Sequence, residues 1–166
     1  RLLRDGLEKL EAGNLEGAHE SFVRASQIDR VRTEPLLLRA QSDLQKMREE
    51  QRRLALLEEE RKAIEPLARV LREVEWTSRA QNLSEKVAQV FESVGGLVKN
   101  HPEWAGAWLL SGWCKRLQTK HSLAKHSMAE AVEELARAIS LAEASGSSYL
   151  ADALLQRGLA YAVSAS

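Results

Sequence analysis

No stretch of this chain alternates apolar and polar residues with period two over more than a few positions, while nearly every segment repeats apolar residues at spacings of three and four. That spacing gathers apolar side chains on one face of an α-helix, so it predicts an all-α fold without strands. A first helix is expected over about residues 2–12, a turn at Gly13-Asn14, and a second helix carrying Leu15, Ala18, Phe22, Ala25 and Ile28 on one face before Asp29. Together they make a helical hairpin. A third helix is expected to start at Thr33-Glu34-Pro35, where proline suits a first turn, with Leu36, Leu37 and Leu38 behind it. No turn signal follows between residues 44 and 65. Residues 45–62 form a polar run rich in Glu and Arg that carries Met47, Leu54 and Leu57, and Ile64, Leu67, Leu71 and Val74 continue this stripe as in a coiled-coil seam. The expectation is one long helix to about Lys62, a break or kink near Glu65-Pro66 because proline lacks a backbone donor, and a continuation to about Trp76. Thr77-Ser78 and then residues 82–84 offer alternative caps for a following helix whose Val87, Val90, Val94 and Leu97 point back onto the long one, with Gly95-Gly96 weakening it locally.

Gly6, Gly13, Ala18, Phe22 and Ala25 fall at offsets of 0, 7, 12, 16 and 19. With the stretch from Asp5 to Ala18, they resemble the first helix, turn and start of the second helix of a tetratricopeptide repeat. The resemblance implies small residues where two short helices cross and Phe22 as the bulky residue packed between them. Ala40 lies 34 residues after Gly6, in phase with a second repeat. Asn100-His101-Pro102-Glu103 resembles the link between two such units, and Trp108 followed by Gly112 is similar to the aromatic and small residues of the next first helix. Ala131, Leu135 and Ala138 resume the pattern, but Ala131 lies 19 residues after Gly112 where an unmodified repeat has 12. The extra residues amount to about two helical turns, so a helix from about Glu103 can lengthen and keep its buried face. After the linker Glu143-Ala144-Ser145-Gly146-Ser147-Ser148, residues Leu154, Leu155, Gly158 and Tyr161 resemble another first helix without its partner. The implied architecture is a set of antiparallel helical hairpins stacked as a tetratricopeptide-like α-solenoid with one long central helix. It is expected as a single domain over 1–166, a fragment of a longer chain, with a first repeat at 1–32, an irregular second at 33–100, a third with lengthened helices at 101–145 and the first helix of a further repeat at 146–166.

Charge and composition remove several functions. The 24 basic residues balance 24 acidic ones, so no positive surplus draws the chain to nucleic acid or an anionic membrane. No apolar run nears the roughly 20 residues of a membrane span, and no signal-peptide pattern opens the chain, which points to a cytoplasmic protein. Its single cysteine, Cys114, can form no internal disulfide and agrees with a reducing compartment. Gly95-Gly96 lacks the lysine and hydroxyl of a phosphate loop. His19, His101, His121 and His126 stand at no metal-ligand spacing; His121 and His126, beside Lys120 and Lys125, read as a solvated helix end or loop. Ser122 and Ser127 have no oriented carboxylate or oxyanion loop. No catalytic residue, cofactor or metal is expected, and the chain reads as a non-enzyme.

Trp104, Trp108 and Trp113 crowd one helix. The resemblance implies that Trp108 packs between helices and that Trp113, about 100° round from Gly112, points toward a concave groove lined by the first helices, where it either forms part of a binding surface or fills a gap made by the lengthened helices. The matching groove positions are Leu3, Leu7, Leu37, Gln41 and Leu44 upstream, and Arg116, Lys120 and Leu155 downstream. Leucines fill most of these places, which argues against a clamp for an acidic tail and suits an amphipathic helix, a peptide or an apolar segment of another domain of the parent chain. The favoured expectation is therefore a non-catalytic protein-interaction scaffold or adaptor. One alternative is a regulatory or sensor arm for a catalytic domain elsewhere in the parent. Another is a homo-oligomer paired through Leu54, Leu57, Ile64, Leu67, Leu71 and Val74, with the Glu/Arg run at 48–62 as a solvated face.

Overall fold

Helices form along the whole of the three-and-four pattern, and the computed structural model describes residues 1–76, 83–121 and 127–164. Seven helices and no strand occur among these described residues: α1 (Leu2–Glu11), α2 (Leu15–Ser26), α3 (Arg30–Trp76), α4 (Leu83–Asn100), α5 (Ala105–Lys120), α6 (Met128–Ser145) and α7 (Leu150–Ser164). The fold is all-α. The expected caps at Thr77, Ser78 and Asn82, and the residues Ser122, Lys125 and His126, lie outside the described residues. Two compact units divide the chain, residues 1–55 and residues 56–166.

In the first unit α1 and α2 form the hairpin that Gly13-Asn14 announces. Gly13 takes a φ of +76°, in the left-handed region that suits glycine, and the Asn14 side chain accepts a hydrogen bond from Gly17 N at 3.0 Å. Such a cap stabilises a helix by about 1 kcal/mol. The crossing is close: a Cβ on Gly6 would stand 2.5 Å from the Phe22 ring. Phe22, Ala18 and Ala40 are fully buried, with Leu3, Leu10, Leu36 and Leu37 packed against them. Beside them Ser21 donates to Asp5 at 2.7 Å, and Lys9 donates to Asp5 and to Ser21 at 2.9 and 3.1 Å. The Lys9 hydrogen bond, and after it that of Ser21, holds the Asp5 carboxyl below its usual range. Ile28 departs from the expected face, for α2 ends at Ser26 and Ile28 is exposed.

α3 differs from expectation at its start, and of the break or kink expected at Pro66 it shows no break. It begins at Arg30, three residues early, because Asp29 starts it: its carboxylate accepts from Arg32 N and its carbonyl from the buried Thr33 hydroxyl at 2.6 Å. It also continues through Pro66. An interior proline costs about 3 kcal/mol or more, yet Ile64, Ala68 and Leu71 around it are fully buried, and each large aliphatic side chain so placed contributes roughly 1.5–3 kcal/mol. Burial outweighs the missing donor. Between these stretches residues 48–56 are exposed at every position, and local pairs such as Glu50–Arg53 at 2.6 Å accompany the helix there.

In the second unit α5 is the centre, packed against α4, α6 and α7. Ile64, Leu71, Val87, Val94, Leu109, Leu110, Leu117 and Leu135 lie in one core cluster. Gly112 marks the α5–α6 crossing, where a Cβ would meet Leu135 Cγ at 2.6 Å and the Ala131 carbonyl at 3.0 Å. Ala131, Leu135 and Ala138 are fully buried on the face their spacing indicates. α6 ends on Gly146, at a φ of +72°, with Gly146 N and Ser147 N both donating to the Ala142 carbonyl. The expected linker from Glu143 thus starts three residues later, its first part being the last turn of α6.

The start of α5 is capped from a distance. Trp104 precedes the helix and offers no side-chain cap; instead Glu60 of α3 accepts from Gly106 N at 2.6 Å. Glu60 is only 3% exposed. Burial pushes its carboxyl above the ordinary value of 4.5, the Gly106 hydrogen bond pulls it back, and the charge of Glu103 pushes it further up.

Candidate functional site

Glu75 near the end of α3 anchors a polar cluster in the second unit. Arg116 of α5 is 1% exposed and bonds one Glu75 oxygen through its terminal nitrogen, while its Nε donates to Gln156 of α7 at 2.9 Å. Trp113 Nε1 donates to the other Glu75 oxygen at 3.0 Å, and Gln156 Nε2 reaches that oxygen at 3.5 Å. A buried guanidinium of this kind is tolerated because its charge is met by the Glu75 carboxylate and its Nε by Gln156, and removing one partner leaves the other uncompensated. Next to the cluster, Arg72 joins Glu65 at 2.8 Å and Asp152 at 3.3 Å, tying α3 to α7.

Over this polar floor opens a cleft of about 450 Å³. Its walls are Arg72, Glu75 and Trp76 of α3, Trp113 of α5, and Asp152, Leu155, Gln156 and Leu159 of α7. Trp76 is 87% exposed and Leu155 58% exposed, and Leu154, Leu159, Tyr161 and Val163 extend the exposed apolar surface along α7. The charged groups in the cleft are already paired with one another, and what it offers to a ligand is an aromatic ring and two leucines.

The expected groove residues are distributed over both units. Trp113 and Leu155 line the cleft, Arg116 lies beneath it in the Glu75 cluster, and Lys120 is exposed at the end of α5 outside it. Trp113 is 2% exposed, so it forms a wall of the core whose edge reaches the cleft. In the first unit Gln41 and Leu44 line a separate cleft of about 390 Å³ with His19, Gln45, Arg48, Glu49 and Arg52. Leu3 and Leu37 pack on the Phe22 cluster instead, and Leu7 is exposed. Trp76, Leu159, Gln156 and Glu75 are the residues that the pattern-based reading missed. Leu159 lies four residues after Leu155 on the same helical face, a spacing that could have found it.

The remaining candidates form other kinds of surface. Trp108 donates to the Pro102 carbonyl at 2.9 Å and has Arg137 over its ring at 4.1 Å, in a polar cleft of about 320 Å³ with Lys115, Glu130, Glu133 and Glu134. His101 stacks on Trp104 with ring centroids 3.7 Å apart. Of the seam residues, Ile64, Leu71 and Val74 are buried in the second unit's own core, whereas Leu54 is exposed. No three His, Cys, Asp or Glu side chains among the described residues converge as metal ligands. No helix among the described residues is long and apolar enough to cross a membrane. Comparison with known proteins finds no matching family model, no similar curated protein and no similar solved structure.

Proposed function

We propose that this chain is a protein-interaction scaffold built from tetratricopeptide-like helical repeats, and that the cleft between α3 and α7 holds an apolar face of a partner helix or peptide. The observation that supports this reading most is the exposed trio Trp76, Leu155 and Leu159 above a floor whose charges are mutually satisfied. An amphipathic helix docks by laying leucine-sized anchors into such an apolar trough, with few polar fixings. A groove for a small charged ligand would instead present unpaired donors. A cytoplasmic home belongs to the same reading, Cys114 being a buried free thiol. A display library of amphipathic helical peptides, selected on the 166-residue chain, tests it. Binders should be enriched, and Leu155→Asp should lower their affinity at least tenfold while leaving the melting temperature within about 2 °C, since surface changes shift stability little. Binders that keep full affinity for Leu155→Asp, or no enrichment at all, would overturn the proposal for this cleft.

A further inference from the structure

Glu60 occupies a junction built to exclude water. A Cβ on Gly106 would meet the two Ile64 branch carbons at 2.8 and 2.9 Å and the Tyr149 ring at 3.0 Å, so α3, the start of α5 and the residue before α7 close on one point. The Glu60 carboxyl enters that point and accepts from Gly106 N at 2.6 Å. Among the described residues the buried Tyr149 hydroxyl has no hydrogen-bond partner. We infer that Glu60 is a proton-linked latch, closing the α3–α5 junction more firmly with a proton than with a charge, so that the second unit tightens in mild acid and loosens as pH rises.

The acceptor role needs only an oxygen lone pair, which the acid and the carboxylate both have. Only the carboxylate also needs solvation, and the junction withholds it. The groups that face the site do not replace water. Glu103, ahead of α5, adds negative charge to Glu60. Tyr149, ahead of α7, feels Glu65, Glu60, Arg72 and Arg61. Of these cations, Arg61 is bonded to Glu58, and Arg72 to Glu65 and Asp152. The positive end of α5 favours the carboxylate, but burial is the larger effect and raises the carboxyl above 4.5. Because the folded chain then holds this proton more tightly than the unfolded chain, the stabilisation is complete below about pH 4.5 and is lost as pH rises through the higher folded value.

Glu60→Gln keeps an acceptor oxygen and removes the charge. All four tryptophans (Trp76, Trp104, Trp108 and Trp113) lie in the second unit, so their fluorescence reports its melting. The melting temperatures of the parent chain and E60Q should coincide near pH 4.5 and diverge as pH rises, with E60Q melting about 3 °C higher at neutral pH. Glu60→Ala leaves Gly106 N without an acceptor and should melt below E60Q at every pH. Parallel curves for the parent chain and E60Q would overturn the inference. Should E60Q fail to fold, the carboxyl resonance of Glu60 in the parent chain decides: a titration midpoint above 4.5 supports the latch, and one at or below 4.5 refutes it.

Discussion

Adding one methyl group at Gly112 should unsettle the second unit, whereas the same change at Gly158 should strengthen it. Both glycines lie inside helices, where replacement by alanine gains about 1 kcal/mol of helix propensity. At Gly158 nothing lies within 4 Å of the new Cβ, so Gly158→Ala should gain about 0.5–1 kcal/mol. At Gly112 the new atom stands 2.6 Å from Leu135 Cγ and 3.0 Å from the Ala131 carbonyl. Neither neighbour can swing aside, since Leu135 is fully buried and the carbonyl belongs to the backbone of α6. Overpacking of this kind costs about 1–3 kcal/mol, and contact with core and backbone atoms places it toward the upper end. Net of propensity, Gly112→Ala should lose about 1–2 kcal/mol, or about 4–8 °C in melting temperature. Thermal unfolding followed by tryptophan fluorescence separates the two variants by sign. A Gly112→Ala chain as stable as Gly158→Ala would refute the close crossing of α5 and α6.

Two further outcomes follow from the interior of α5. Arg116→Ala should cost about 3–5 kcal/mol by leaving the Glu75 carboxylate without its main partner, and a paired Arg116→Met, Glu75→Leu change should recover much of that loss in urea unfolding. Burial pushes the Cys114 thiol up to about 12, so almost no thiolate forms at neutral pH. A thiol reagent should leave Cys114 unlabelled in the native chain, and its labelling rate in urea should follow the unfolding of the second unit; rapid native labelling would contradict the burial.

What was legible from the residues alone was local. Gly13-Asn14 announced the first hairpin, and the three-and-four spacing of Ala131, Leu135 and Ala138 marked the face that α6 buries, because both depend on neighbours within a few turns. Proline was ambiguous for the same reason. Local rules break or kink a helix at Pro66, and that it does not break rests with burial of Ile64, Ala68 and Leu71 against residues far along the chain. The site was harder. Arg116 reads as a polar fixing on an exposed face, and only its pairing with Glu75, 41 residues away, draws it inside. Glu60 lies within a run that reads as solvated, although it stands four residues before Ile64 on the buried seam, and that register was the available clue. Leu155 was a groove position only through the tetratricopeptide resemblance, and Trp76, at the far end of α3, joins it through the packing of α3, α5 and α7.

The exposed middle of α3 has a consequence for how such a chain can vary over evolutionary time. Residues 48–56 are exposed at every position, so apart from Arg48, Glu49 and Arg52, which line the first unit's cleft, selection there acts on helix propensity and on the alternation of charge more than on the identity of a side chain. At the other positions of this stretch Arg, Lys, Glu and Gln can replace one another nearly freely, and homologous chains should diverge there first while still encoding a helix. A glycine or proline is the change it cannot absorb, because no buried contact stands by to compensate the lost helix propensity.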